Sequence, residues 1–402
     1  MFHSACSSSD WPHAENYPFR QSWIQRRAFP ESGPSLPRRP FFYNACVKTW
    51  DVIIVGGGII GLTLARELRK QAASVLVVER GEPGGEASHA AGGMLANCGD
   101  ATPSVLQPLA TASAQMYPEF VHELQDESGL NVDLRSDGTL LLPSAGHAYE
   151  KILGANPLPT PLGDLEPALA TEGRVAFLLR ERSVCPRALT KAALKAARHR
   201  GVDISSGTRV LSIDLSAGRA IGVTTDKTSY RAMKVVNCAG AWSGQIAPYP
   251  IPTRPVKGQM VCFIMPSREL LRHVVRSPEI YLIPRSDGRL LAGATVEEAG
   301  FDKRIVPDTV QTLRHAAIAL LPALKDARVL EDWAGLRPGT PDNLPILGAT
   351  PIPGYYVATG HFRDGILLAP VTARTMTQVI SDGEPEYDLA PFSTERFVLR
   401  AV

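Results

Sequence analysis

The run Asp51-Val52-Ile53-Ile54-Val55, apolar and β-branched after its first residue, passes without a gap into Gly56-Gly57-Gly58-Ile59-Ile60-Gly61. A continuous apolar run of this kind suits a parallel strand covered on both faces. The spacing predicts a helix from Ile59 to Gln71 and a second strand over Val75-Leu76-Val77-Val78, closed by Glu79. Each glycine then has a task. Gly56 allows the tight turn, Gly58 lets backbone approach a pyrophosphate, and Gly61 permits close packing of helix on strand. The helix start offers amide donors and the positive end of its dipole to phosphates. Glu79, eighteen residues past Gly61, stands where a carboxylate accepts the ribose hydroxyls and disfavours the 2′-phosphate of NADP. Strand, turn, helix, strand and acid together read as a dinucleotide cradle, which by itself fits FAD and NAD equally.

The next segment separates the two. From Gly84 to Met94 the chain reads Gly-Gly-Glu-Ala-Ser-His-Ala-Ala-Gly-Gly-Met. Small residues dominate where backbone passes close to a flat ring, and a run of them directly after the ribose acid favours a flavin.

The rest of the chain narrows the class of protein. With 402 residues, 44% hydrophobic and 20% charged, it is long enough for a large core split between two domains. A net charge of +2 gives no concentrated basic face for nucleic acid, and a small-molecule ligand fits better. The cysteines Cys6, Cys46, Cys98, Cys185, Cys238 and Cys262 show neither CxxC nor Cys/His spacing, so no metal site and no disulfide framework is expected. No apolar run is long enough to span a bilayer and no secretory signal is visible, so the chain reads as a soluble, cytoplasmic protein. Residues 1–48, with clustered prolines, serines and the pairs Arg26-Arg27 and Arg38-Arg39, read as a disordered extension. Its origin stays open between an extension proper, a targeting peptide and a start at Val47.

Pro186 can open, and Gly201 close, a helix over the Ala/Leu-rich stretch Ala188–His199. Strand-like runs follow at Val202–Ser205, Thr208–Ile213, Ala220–Thr225 and Met233–Val236. The stretches around 105–180 and 250–335 carry more prolines and irregular spacing and read as a second, interleaved domain. This pattern is α/β with added antiparallel strands, an α+β mixture.

Several separated segments now point one way. They are the cradle with Gly84–Met94, Val235-Val236-Asn237-Cys238-Ala239-Gly240-Ala241-Trp242-Ser243, Tyr281-Leu282-Ile283-Pro284-Arg285, Trp333-Ala334-Gly335-Leu336-Arg337-Pro338-Gly339-Thr340, and Gly360-His361-Phe362-Arg363-Asp364-Gly365-Ile366-Leu367. From about residue 50 to its end the chain resembles the D-amino-acid-oxidase-type flavoproteins, and within them most the glycine oxidases of thiamine biosynthesis. The resemblance implies a Rossmann-type FAD-binding domain in three parts, 49–124, 184–253 and 338–402. An antiparallel-sheet substrate domain, 125–183 and 254–337, is interleaved with it.

It also implies that FAD, held non-covalently, is lined by Gly56, Gly58, Ile59, Ile60, Gly61, Glu79, Arg80, Ala87, Ser88, Gly92, Gly93 and Met94. Val210 offers backbone groups to the adenine, and His361, Phe362, Arg363, Asp364, Gly365, Ile366 and Leu367 reach the flavin. The apolar run from Ile366 to Ala369 is expected to start a helix whose N-terminus stabilises reduced flavin. Arg337 and Tyr281 match the positions holding the substrate carboxylate, and a planar guanidinium with a phenol suits that task. Arg363 matches a third substrate position.

No catalytic acid or base is expected. His361 beside Gly360 reads as structural or a neighbour of the ring, and hydride transfer from a neutral amine needs no base, only positioning. Two residues depart from the family pattern. Cys185 and Asp364 stand where an acid and an amide are usual, and Asp364 weakens the pull of Arg363. No cysteine falls within Trp333–Leu367, which argues against covalent flavin.

The expected reaction is oxidation of glycine, sarcosine or a D-amino acid by FAD and oxygen to a 2-oxo acid, ammonia and hydrogen peroxide, serving thiazole formation for thiamine. A dehydrogenase passing electrons to a quinone-type acceptor and a non-catalytic dinucleotide sensor stand as alternatives, and a homo-oligomer is left open.

Overall fold

The computed structural model describes residues 48–98, 102–143, 155–156, 158–170 and 173–397. The extension read over 1–48, and with it the start at Val47, lies outside these residues except for Lys48.

Thr49–Val55 is the central strand of an eight-stranded sheet. It runs parallel to Val75–Val78 on one side and Ser229–Asn237 on the other. Asp203–Ser205 continues the sheet in parallel beyond Val75–Val78, and Tyr355–Thr359 does so beyond the end of Ser229–Asn237. The central strand needs apolar residues throughout because both its faces are covered. Val52 and Ile54 pack into a core with four helices, Ile59–Lys70, Gln107–Ser128, Pro186–His199 and Ala369–Ile380. Ile53 and Val55 pack the other way, against Val210, Ile213 and Val223 of the antiparallel strands Val210–Ser216 and Arg219–Thr225.

A second eight-stranded sheet takes strands from two stretches of chain. Thr139–Leu141, Ala155–Asn156 and Phe177–Leu179 come from the first, and five strands between Arg254 and Gly339 come from the second. It is antiparallel apart from the pairing of Thr139–Leu141 with Val274–Arg276. The helix Pro307–Leu320 and the turn Pro322–Asp326 close one face over Val261, Phe263 and Leu282. The opposite face presents Met260, Ile283, Tyr281 and Trp333 with Met94.

Two local readings change. Within the stretch expected to be irregular lies a 22-residue helix, Gln107–Ser128, with Pro118 inside it. Leu109, Ala110, Ala114, Tyr117, Val121 and Leu124 form its buried stripe at helical spacing. That burial outweighs the hydrogen bond lost at Pro118. The second change is at Ile366, where no helix starts. Gly365–Leu368 forms a turn, tied by the Leu368 amide to the Asp364 carbonyl at 2.8 Å, and the helix opens only at Ala369 with Pro370 in its first turn. A proline in the first turn needs no amide partner, which fixes the start there.

Candidate active site

A cavity of about 710 Å³ runs from the cradle to the open face of the second sheet. At its cradle end Gly56 has φ +109°, and a Cβ there would strike the Cys238 carbonyl. A Cβ on Gly61 would overlap the Gly56 carbonyl oxygen. Both positions admit only glycine. The turn is held by Glu79, whose carboxylate accepts the Gly57 amide at 2.7 Å and the Gly81 amide at 2.8 Å. Ser88 Oγ accepts the Ile59 amide at 2.9 Å, while Gly58 gives the helix no side-chain cap. Two obligatory glycines, the amides of a helix start that Gly58 does not cap, and a buried carboxylate acceptor are what a dinucleotide needs, so FAD fits this end. Arg80 lies 3.7 Å over the Trp242 ring at the same end.

Of the residues read from the sequence, Gly61 and Leu367 lie behind the cavity wall, and every other one lines it. Gly61 works from there, by letting helix approach strand.

The far end is built on the second sheet. Trp333, Gly335 and Arg337 alternate along the strand Val329–Gly339, opposite Met260, Gly258 and Val256. Tyr281 pairs in register with Gly293, itself paired with Met260. Arg337 Nη1 donates to the Thr295 carbonyl at 2.9 Å and the Lys257 carbonyl at 3.3 Å. Among the described residues no carboxylate lies within ion-pair distance of it. Burial pulls its pKa down, with Tyr281 opposing this and Arg363 adding to it. Burial pushes the Tyr281 phenol up, while Arg337 and Arg363 pull it back, and its hydroxyl donates to Met260 Sδ at 3.8 Å. The result is a half-buried cation with neutral partners beside a phenol that stays protonated.

His361 is buried, with Nε2 3.1 Å from Thr372 Oγ1, and burial drives its pKa down to about 3. It is therefore neutral at physiological pH. Asp364 is pushed up to about 6 by burial, against the pull of Arg363. As pH rises through 6 it ionises and places a negative charge at this end. The Ki of acetate, a competitor with no amine to titrate, is expected to rise several-fold between about pH 5 and pH 7. Asp364→Asn should flatten that profile, and a wild-type Ki independent of pH would show that Asp364 does not face the carboxylate.

Sequence reading missed three contributors. Gly258 leaves the space that the Arg337 guanidinium fills, since a Cβ there would collide with it. Arg276 lines the cavity as the cross-strand partner of Tyr281. Arg285 stands behind Gly92. Gly258 and Arg276 carry no local motif, and only strand register brings them to the site. No His, Cys, Asp and Glu cluster among the described residues could hold a metal, and no helix among them is long and apolar enough to cross a membrane.

A dinucleotide cradle facing an antiparallel sheet with a half-buried arginine is the architecture of an FAD-dependent oxidoreductase. The chain belongs to the FAD dependent oxidoreductase (DAO) family, whose model matches residues 51–379. It is 34% identical over 362 residues to the glycine oxidase of Pseudomonas aeruginosa, covering 85% of this chain and 98% of that one. It is 36% identical over 359 residues to the bifunctional protein ThiO/ThiG of Synechocystis sp., covering 87% of this chain and 54% of that one. The chain thus spans about half the length of its bifunctional relatives. The crystal structure of glycine oxidase from Geobacillus kaustophilus superposes with a TM-score of 0.81 at 32% identity, over 88% of this chain and 99% of that one.

Proposed function

We propose that the chain uses oxygen and water to oxidise glycine, or another small amino acid such as sarcosine or a D-amino acid, to a 2-oxo acid, hydrogen peroxide and the released amine, which is ammonia from glycine and methylamine from sarcosine. In this reading it works in the cytoplasm and its imine product serves thiazole formation for thiamine. The FAD-binding domain comprises 49–124, 184–253 and 338–402, and the substrate domain 125–183 and 254–337.

The observation that carries this reading is Arg337, a half-buried guanidinium in a cavity wall whose hydrogen-bond acceptors among the described residues are neutral. Such a group gains most from a carboxylate, which it grips bidentately. Tyr281, held protonated, adds a donor on the same side. Arg363, the least buried of the three, adds charge that Asp364 offsets above pH 6. Met260, which lines the cavity beside Tyr281, supplies apolar surface for the α-carbon. Bound FAD supplies an acceptor for the hydride leaving Cα. The chain's own part is to fix that carbon in place and exclude water, and a neutral His361 takes no proton from it. The two sets of relatives, named for glycine oxidation and for ThiO, agree with this reading.

Glycine added without air to the yellow protein should bleach it. With air, a screen of glycine, sarcosine, D-alanine and D-proline should yield one peroxide per turnover, where a dehydrogenase would yield little. A yellow protein that no small amino acid bleaches would overturn the proposal.

A further inference from the structure

Arg285 follows the strand Tyr281–Pro284 and is 2% exposed. Its Nη2 donates to the Gly92 carbonyl, and its Nη1 has no partner. Arg66, at 1% exposed, shows what a buried guanidinium ordinarily requires, with Glu127 at 2.6 Å and Glu123 at 2.8 Å. Arg285 has no such neighbour among the described residues. Asp133 is occupied by the Ser286 hydroxyl at 2.6 Å, and Asp287 by Arg289 at 2.8 Å. Asp133 and Asp287 act on it only from beyond ion-pair distance, and the neighbouring Cys185 is buried. A buried cation with no carboxylate in direct contact is costly, and the cost falls if negative charge arrives nearby.

The place where charge can arrive is across Gly92. That residue lines the cavity, and a Cβ on it would stand 3.5 Å from Tyr281 Cε2 and 2.8 Å from Ile283 Cδ1. The Arg285 guanidinium lies behind this lining residue, bonded to its carbonyl oxygen.

We propose that Arg285 is a positioning residue that holds the Gly92 wall and, as a buried cation with no carboxylate in ion-pair contact, raises the reduction potential of the bound FAD. Two-electron reduction adds negative charge to the cavity, and a fixed buried cation held by no direct ion pair favours it. This goes beyond the proposed substrate and does not depend on it.

Two variants remove the net charge by opposite routes. Arg285→Met deletes the cation, and Cys185→Glu gives it a partner without touching it. Both should weaken sulfite binding to the oxidised flavin about 10-fold and lower the two-electron potential, read by dye equilibration, by roughly 30 mV. Arg285→Lys should keep both near the wild-type values, which a purely structural role would not ensure. Cys185→Glu should also raise the melting temperature, because the new carboxylate meets an unpaired cation. A Cys185→Glu protein that is less stable than wild type, or that has wild-type potential and sulfite affinity, overturns the proposal. Both readouts work without an amino-acid substrate, so they remain decisive even if no amino acid reduces the flavin.

Discussion

Arg337→Met should cut kcat/KM for the amino acid by about 10²–10³-fold, the cost of roughly 3–4 kcal/mol when one side of a buried carboxylate pair is deleted. FAD content should be unchanged, because Arg337 sits on the second sheet and the cradle glycines on the first. Stability should be nearly unchanged too. The substitution removes a half-buried cation and breaks no ion pair among the described residues, leaving the Thr295 and Lys257 carbonyls short of a donor. Arg337→Lys should recover part of the loss, since it keeps the charge but not the two-pronged geometry. Gly258→Ala should act in the same direction more mildly, because its methyl group displaces the guanidinium rather than deleting it. Steady-state kinetics with flavin absorbance checks all three. If Arg337→Met keeps wild-type kcat/KM, the carboxylate is held elsewhere and the proposed substrate orientation falls.

What the chain discloses before folding depends on how local each signal is. The cradle is legible because its constraints lie within about thirty consecutive residues, from Asp51 to Glu79, and each has a one-residue physical reason. The helix Gln107–Ser128 was hidden because Pro108 and Pro118 punctuate it, and proline's local veto is read before a buried stripe is. The start at Ala369 was placed three residues early for the converse reason, since an apolar run looks helical whether it coils or turns. Gly258 meets Arg337, and Arg276 meets Tyr281, only through antiparallel register, which no single segment encodes. Arg285 was visible as a residue but not as an anomaly. Its lack of a carboxylate is a property of Asp133, Asp287 and Cys185, which the fold brings near it from three places in the chain.

Gly61→Ala should lose FAD and part of the fold together. The new methyl group would overlap the Gly56 carbonyl oxygen, which is backbone and cannot rotate away. Gly56 in turn has little room to move, because at φ +109° even a Cβ on it would strike the Cys238–Ala239 backbone. Relief therefore has to come from the helix Ile59–Lys70 lifting off the central strand, which opens the packing of Ile54 and Leu62 in the largest core. Overpacking of this kind costs about 3 kcal/mol. It also displaces the helix start on which the phosphates depend, so ligand-linked stability is lost as well. The purified variant should be colourless or nearly so, and should melt several degrees below the wild type even with excess FAD. Gly58→Ala is the contrasting case, since a Cβ there comes no closer than 3.3 Å to Ser88 Oγ, a side-chain atom that can shift. It should keep the fold and lose only part of the FAD affinity. If Gly61→Ala instead stayed yellow and as stable as wild type, close helix–strand approach would not be what that glycine provides.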